Sequence, residues 1–190
     1  FLEILYKRNF PIDELFLLAS NQSEGKKLKF GKKEIIVQDL NKFDFKKTGL
    51  VLSSAGAKVA SQFASKATKS GSIVIDNSSY FRMDPFVPLI VPEVNPQDLK
   101  KIKKNIVANP NCSTIQMVMV LKPLHDYAKI KRVIVSTYQS TSGAGRLQMD
   151  ELFNQTKNIF ANKQIEKKFF TKQIAFNVIP HIDNFLDDGN

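Results

Sequence analysis

The sequence predicts an α/β protein in which parallel strands alternate with helices. Strand-like and helix-like segments follow one another along the 190 residues, with no internal repeat and no low-complexity linker. Five strand-like segments end in polar or glycine-containing turns with the sequences SNQS, SSAG, DNSS, NPNCST and STSGAG. Hydrophobic residues make up 43% of the chain, which is enough apolar material for one large core or two small ones.

The first half of the chain is predicted to contain the end of a helix, several short strands and one complete helix. Apolar residues followed by charge are typical of the end of an amphipathic helix, and continuous apolar runs bounded by polar or glycine residues are typical of buried strands. The predicted elements are a helix end over 1–9, a strand over 14–20, a hairpin over 28–40 that turns at Gly31, a strand over 49–56, a helix over about 57–70 and a strand over 72–79.

The second half continues the alternation. Residues 89–95 lead into a helix with the sequence DLKKIKK, and residues 105–112 form a strand that ends in a turn. The segment 113–128 is apolar around most of its girth, which predicts a buried helix containing Pro123. A strand is expected over 131–139 and an amphipathic helix over 146–160.

Composition excludes several classes of protein. The longest apolar runs are much shorter than the roughly 18 residues of a membrane-spanning helix, so we expect no membrane association. One cysteine and two histidines cannot form an internal disulfide or a four-ligand zinc site, and no metal is expected. The first residues lack the apolar region and cleavage site of a signal peptide, which predicts a cytoplasmic protein.

The net charge of +10 indicates a nucleic-acid partner only if the basic residues gather on one face. They are nearly all lysines in short, scattered groups, without an RNA-binding aromatic motif or zinc-finger spacing. We therefore favour a solvated lysine-rich surface and no nucleic-acid partner. A basic α/β module that binds RNA or DNA remains the alternative.

The turn after the strand at 14–20 lacks an acidic residue. Dinucleotide-binding folds that use NAD usually place a carboxylate at such a turn to hold the ribose 2′-hydroxyl, whereas a 2′-phosphate needs neutral or basic donors. Here Gln22 and Ser23 are neutral, and Lys26 and Lys27 follow shortly. The turn favours NADP over NAD, although composition alone favours an ordinary polar turn between strands. No glycine-rich phosphate loop precedes it.

The single cysteine lies at a predicted strand-to-helix junction. Free amide groups at a helix N-terminus stabilise negative charge, so this position favours a thiolate nucleophile at Cys112. The alternative is an inert, buried cysteine.

Two further polar residues follow strands. Gln139 ends the strand at 131–139, where an uncharged amide can orient a carboxylate or carbonyl, or simply cap a turn. Arg82 follows the strand at 72–79, where its planar guanidinium suits a phosphate or carboxylate, or an ion pair with Asp76 or Asp84. Neither His125 nor His181 is predicted to be a catalytic base.

Five strings together resemble the aspartate-semialdehyde dehydrogenase family. They are SAG at 54–56, DNSSYFRMDPFVPLIVPEVNP at 76–96, NPNCSTIQMVMVLKPLHD at 109–126, STYQSTSGAG at 136–145 and NVIPHID at 177–183. The resemblance covers almost the whole chain. It implies a Rossmann-like NADP-binding domain over 1–108, followed by the start of a second α/β catalytic and dimerisation domain over 109–190.

The resemblance implies an oxidoreductase of lysine, threonine and methionine biosynthesis. The reaction would be the reversible, NADP-dependent reductive dephosphorylation of L-aspartyl 4-phosphate to L-aspartate 4-semialdehyde through a thioester of Cys112. Arg82, Gln139 and Asn111 would bind substrate. The cofactor contacts implied by motif match are Gln22, Ser23, Ser54, Ala55, Ser142 and Gly143. The enzyme would form a homodimer or a dimer of dimers.

The sequence also departs from the family pattern. Many members have arginine where this chain has Gln22, so recognition of the 2′-phosphate is expected to depend on Ser23 and the nearby lysines. The family's N-terminal strand with its glycine-rich loop, and its C-terminal part with the catalytic histidine, are missing. We therefore expect an incomplete enzyme that is unstable and inactive alone, with unpaired strand edges beside the absent strand. A catalytically silent homologue acting as a subunit is a further alternative.

Overall fold

A computed structural model of the chain describes residues 1–182, so Asp183, the last residue of the NVIPHID string, lies outside the described residues. The chain divides into two compact units, one of residues 1–131 and one that begins at Arg132. The α/β class predicted from the sequence is confirmed. Within the described residues, no helix is both long and apolar enough to cross a bilayer.

The first sheet of the first unit has three strands in the order β1, β3, β2. Helix α1 is Leu2–Lys7, and the strands are β1 Leu17–Ala19, β2 Lys27–Phe30 and β3 Lys33–Asp39. Strand β3 pairs parallel with β1 and antiparallel with β2. The predicted hairpin turns at Gly31, whose φ of +61° favours glycine. A Cβ atom there would also lie 2.1 Å from the ring of Tyr6.

The second sheet is entirely parallel and consists of β4 Leu50–Ser53, β5 Ile73–Asp76 and β6 Ile106–Ala108, in that order. Its central strand β5 follows helix α2, Ala57–Lys69. Among the described residues, β1 pairs only with β3 and β4 pairs only with β5, so each keeps one open edge. A strand with an open edge has backbone groups that could pair with a further strand.

Small side chains bring α2 close to the second sheet. Ala60, Ala64 and Ala67 recur at intervals of four and three residues, which places them on one face of the helix, and all three are buried. They belong to the same core cluster as Val74 of β5 and Ile106 of β6. The alanine face therefore determines how closely the helix approaches the strands.

Two predictions in the first unit are wrong in part. The expected DLKKIKK helix is a 3-10 helix, Pro96–Lys101, because the short segment starts at a proline and ends before Asn105, which has a positive φ. Helix α3, Cys112–Tyr127, contains Pro123 as predicted, but none of its residues is buried. Met119, Val120 and Leu124 are each 45% exposed or more, because no element of the first unit packs closely over this apolar surface.

The predicted strand over 131–139 is also wrong, because those residues have no strand partner within the described part of the chain. An isolated strand leaves its backbone hydrogen bonds unmade, so its apolar pattern alone cannot make a strand. Helix α4, Arg146–Phe160, agrees with the prediction at both ends.

Two buried side chains of α4 hold the irregular segment that follows it. The Glu151 carboxylate accepts hydrogen bonds from the backbone amides of Lys168 (3.3 Å) and Phe169 (2.6 Å). Gln155 Oε1 accepts from the amides of Ile174 (2.9 Å) and Ala175 (3.2 Å). These side chains satisfy backbone groups that a neighbouring strand would otherwise pair.

Replacing Ala64 by leucine should destabilise the first unit. Ala64 is 4% exposed, and a larger side chain would push α2 away from the sheet, at a cost of about 1–3 kcal/mol. Equilibrium urea unfolding of the full-length protein measures the change. Gln62→Leu, on the exposed side of the same helix, is the control and should change stability by less than about 0.5 kcal/mol. Equal effects of the two substitutions would contradict the packing described for α2.

Candidate active site

The carboxyl ends of β4, β5 and β6 lie side by side and carry the polar residues predicted from the sequence. In register, Ser53 lies opposite Asp76, and Asp76 lies opposite Ala108. The backbone pairing continues one residue further, because the Asn77 amide donates to the Ser53 carbonyl and the Asn109 amide donates to the Asp76 carbonyl, both at 2.9 Å. The turns that follow the three strands therefore begin at one edge of the sheet, where ligands bind in parallel α/β folds.

Asparagine side chains connect these turns. Asn77 Nδ2 donates to Ser54 Oγ at 3.5 Å, and Asn109 Nδ2 donates to Asn77 Oδ1 at 3.4 Å. Ser54 and Ala55 are exposed, and Gly56, with φ of +87°, leads directly into α2. The SSAG turn is thus linked to the segment that precedes Cys112.

Arg82 is held by backbone carbonyls of two of these turns. Its Nε donates to the Asn109 carbonyl at 2.9 Å, and its Nη2 donates to the Asn77 carbonyl at 3.3 Å. These bonds orient the guanidinium without neutralising its charge, so it can still attract an anion.

The alternative ion pairs proposed for Arg82 are not formed. Asp84 pairs instead with Lys104 at 2.6 Å, and Asp76 accepts a hydrogen bond from Ser78 Oγ at 2.6 Å. The Lys104 hydrogen bond, with help from the Phe86 backbone amide, lowers the pKa of Asp84 below its ordinary value.

Cys112 is the first residue of α3 and is exposed, so it is not a buried cysteine. Asn111 caps the helix, since its Oδ1 accepts hydrogen bonds from the Ser113 amide at 2.9 Å and from the Ser113 hydroxyl at 2.5 Å. The Cys112 thiol also lies 3.8 Å from Asn111 Oδ1. The local structure therefore presents the exposed sulfur at a helix N-terminus.

Gln22 and Ser23 lie in a 3-10 turn, Asn21–Ser23, directly after β1. Gln22 is exposed, and Lys26 Nζ donates to Ser23 Oγ at 3.4 Å. Ser20 to Ser23 contain no carboxylate, and the next residue, Glu24, is ion-paired with Lys42 at 3.3 Å. The turn therefore offers hydroxyl, amide and ammonium donors.

The other predicted site residues belong to the second unit. Gln139 is exposed. Ser142 and Gly143 lie in a 3-10 turn, Thr141–Ala144, in which the hydroxyls of Ser140 and Ser142 are 2.5 Å apart. This turn leads through Gly145, with φ of +110°, into α4. The first unit thus brings Ser54, Arg82, Asn111 and Cys112 to connected turns, while Gln139, Ser142 and Gly143 are placed in the second unit.

Sequence reasoning missed the roles of Asn77 and Asn109. Both directly follow the observed strands β5 and β6, and both lie inside the longer segments 72–79 and 105–112 that the sequence predicted as strands. The available signal was that parallel strands end at a common edge, so two asparagines one residue past neighbouring strands are within reach of each other.

The residues present suit a dinucleotide cofactor. Exposed Ser54 and Ala55 precede a 13-residue helix through a glycine at positive φ, and free amides at a helix N-terminus bind anionic groups. Ser23 and Lys26 add hydroxyl and ammonium donors in the turn after β1. Among residues 1–182, no three His, Cys, Asp or Glu side chains are grouped so that they could hold a metal ion.

The parallel sheet, the polar turns at its carboxyl edge and the helices that begin at those turns define an α/β protein of the Rossmann-like, dinucleotide-binding class. Residues 1–102 match the family model described as semialdehyde dehydrogenase, NAD binding domain, and residues 121–190 match the semialdehyde dehydrogenase dimerisation domain. The chain belongs to the semialdehyde dehydrogenase family, which confirms the resemblance found in the sequence.

Similar proteins carry a more specific name. The chain is 56% identical over its whole length to the aspartate-semialdehyde dehydrogenase of Aquifex aeolicus and covers 56% of that protein. It is 49% identical, over 99% of its length, to aspartate-semialdehyde dehydrogenase 2 of Vibrio cholerae and again covers 56% of that relative. The chain therefore spans little more than half the length of these curated relatives.

Solved structures agree with the sequence matches. The crystal structure of aspartate-semialdehyde dehydrogenase II of Vibrio cholerae complexed with ASA matches 99% of this chain and 56% of its own, with a TM-score of 0.93 and 49% identity. The aspartate-semialdehyde dehydrogenase of Candida albicans with NADP matches 68% of this chain and 44% of its own, with a TM-score of 0.55 and 28% identity.

Removing the helix cap at Asn111 should destabilise α3. The Asn111→Ala substitution leaves the Ser113 amide without its acceptor, at a cost of about 1 kcal/mol in unfolding free energy. Urea unfolding of the full-length protein measures this loss. Asn111→Ser retains a capping oxygen and should keep most of the stability, so equal losses in the two variants would contradict the capping role.

Proposed function

We propose that the whole protein catalyses the reversible, NADP-dependent conversion of L-aspartyl 4-phosphate to L-aspartate 4-semialdehyde. The main support is the exposed Cys112 at the start of α3, next to a segment that holds Arg82, in a chain 56% identical over its whole length to an aspartate-semialdehyde dehydrogenase. The combination provides a nucleophile and a cation for a phosphorylated acyl substrate.

In this proposal Cys112 is the nucleophile. Its thiolate attacks the acyl carbon of aspartyl phosphate, the bond from that carbon to the phosphate oxygen breaks, and inorganic phosphate leaves. The Cys112 thioester is then reduced, and the aldehyde departs as the thiolate re-forms. Amide groups at the N-terminus of α3 stabilise the thiolate before and after this sequence.

Arg82 is proposed to bind the phosphoryl group. Its two hydrogen bonds to the Asn77 and Asn109 carbonyls leave further guanidinium N–H groups available to phosphate oxygens. Asn111, whose side chain caps α3, is proposed to flank the same substrate, and Gln139 is proposed to orient its carbonyl or carboxylate. Arg82 would thus hold the negatively charged leaving phosphate near Cys112.

NADPH, when bound, supplies the hydride that reduces the thioester. We propose that Ser54 and Ala55 of the SSAG turn and Ser142 and Gly143 of the STSGAG turn contact this cofactor, and that Gln22 and Ser23 contact its adenosine ribose. The exposed positions of Ser54, Ala55 and Gln22 support this assignment.

The match of residues 121–190 to a dimerisation domain supports a homodimer or a dimer of dimers. A role in lysine, threonine and methionine biosynthesis and a cytoplasmic location follow from the proposed reaction. The activity belongs to a protein of the relatives' length, and we propose that residues 1–190 alone are inactive.

Replacing Cys112 by alanine should abolish turnover. Without the sulfur no thioester forms, so phosphate- and NADP-dependent oxidation of aspartate semialdehyde should fall about 10³-fold or more in the full-length protein. The assay follows NADPH absorbance. Ser61→Ala, on α2, is the matched control and should retain full activity.

The same assay distinguishes the alternatives. A folded but inactive unmutated protein would favour the silent homologue, and full activity of the Cys112→Ala variant would contradict the proposed nucleophile. Turnover by purified residues 1–190 would contradict the proposed inactivity of that part alone.

Replacing Arg82 by lysine should weaken phosphate binding while keeping the positive charge. An ammonium group cannot donate to the Asn77 and Asn109 carbonyls and still present a planar pair of donors to phosphate. In the phosphorylating direction, KM for phosphate should rise about tenfold or more. An unchanged KM for phosphate in the Arg82→Lys variant would contradict the role of Arg82. Arg146→Lys on α4 is the control and should leave this KM unchanged.

A further inference from the structure

A small network of charges crosses from the Asn21–Ser23 turn to strand β3. Lys42 Nζ lies 3.3 Å from Glu24 Oε2 and 3.8 Å from Asp39 Oδ2. Glu24 directly follows the turn, while Asp39 is the last residue of β3 and lies opposite Ala19 of β1. Both carboxylates are therefore attached to the backbone around the turn that carries Gln22 and Ser23.

Asp39 keeps its negative charge at neutral pH. The backbone amide and the side-chain Nδ2 of Asn41 both donate to Asp39 Oδ1 at 3.0 Å. The backbone hydrogen bond is the main reason why the pKa of Asp39 lies below its ordinary value, and Lys42 lowers it further. Asp39 is only 5% exposed, so solvent screens its charge less than it would on an open surface.

Lys42 balances these carboxylates. Around the turn, Lys42 faces both Glu24 and Asp39 and Lys26 contacts Ser23, whereas Lys27 is paired with Glu34 at 3.5 Å. Removing the Lys42 charge would leave the surroundings of Ser23 net negative. A dianionic phosphate would then be repelled, while a ribose hydroxyl would be affected little.

We propose that Lys42 is a specificity-determining residue for NADP over NAD, because it neutralises Glu24 and Asp39 beside the turn that meets the 2′-phosphate. This inference rests on the proposed function. It extends that function to a residue outside the five sequence segments that resemble the family. Lys42 need not touch the phosphate, since its effect passes through the two carboxylates. Because Gln22 is neutral, the charges of the neighbouring lysines and carboxylates determine how well the turn accepts a phosphate.

Calorimetric titration of the full-length protein with NADP and with NAD tests this role without any turnover. In Lys42→Met, the Kd for NADP should rise about three- to tenfold, while the Kd for NAD should change less than about twofold. Lys42→Arg should bind both nucleotides as the unmutated protein does. The lysine is exposed, so these substitutions leave the core intact.

A second substitution separates charge from structure. In Lys42→Met with Glu24→Gln, one of the unbalanced carboxylates is gone, and affinity for NADP should largely return. Lys101→Met is the control, since Lys101 pairs with Asp98 within the 3-10 helix that precedes β6 of the second sheet. It should leave both Kd values unchanged.

If Lys42→Met leaves the ratio of the Kd values for NADP and NAD unchanged, the role of Lys42 is overturned while the proposed function stands. Equal weakening of both nucleotides, without recovery in the double variant, would also overturn it by showing a structural role. If the unmutated full-length protein binds neither nucleotide, the proposed function itself fails, and the inference fails with it.

Discussion

The parallel pairing of β4, β5 and β6 determines where the candidate chemistry lies. Because Ser53, Asp76 and Ala108 lie side by side in register, the three following turns start at the same edge. Asn77 and Asn109 extend the pairing by one residue and connect the turns through their side chains. A shift of one residue between β5 and β6 would reverse the faces of the shifted strand's side chains and separate Arg82 from the Asn109 carbonyl.

Sequence patterns predicted the elements whose stability is local or whose partners are close in the chain. Helix α4 agrees with its prediction at both ends, and the hairpin at Gly31 and helix α2 also agree closely. The polar turns after the strands were likewise evident, and with them Cys112 and Arg82. Each of these features depends on periodicity, a glycine turn or a strand end, which are signals that a single sequence contains.

Features that depend on distant partners were not predictable in this way. The apolar pattern of 131–139 suits a strand, but a strand also needs a neighbour to accept its hydrogen bonds. The apolar residues on most sides of α3 predicted a buried helix, but burial depends on which elements pack against Met119 and Val120. The partners of Arg82 and Lys42 could not be predicted either. A charged side chain has several oxygen atoms near it in the sequence, and only the folded structure determines which of them it contacts.

The two buried side chains of α4 have a consequence for how this region can vary in evolution. Glu151 and Gln155 lie one helical turn apart and together hold amides in the segment from Lys168 to Ala175. Inserting one residue between them would rotate Gln155 by about 100° around the helix axis and turn it away from that segment. The four-residue spacing of Glu151 and Gln155 is therefore constrained by the segment they hold, because a change in length between them would break the contacts of one or the other.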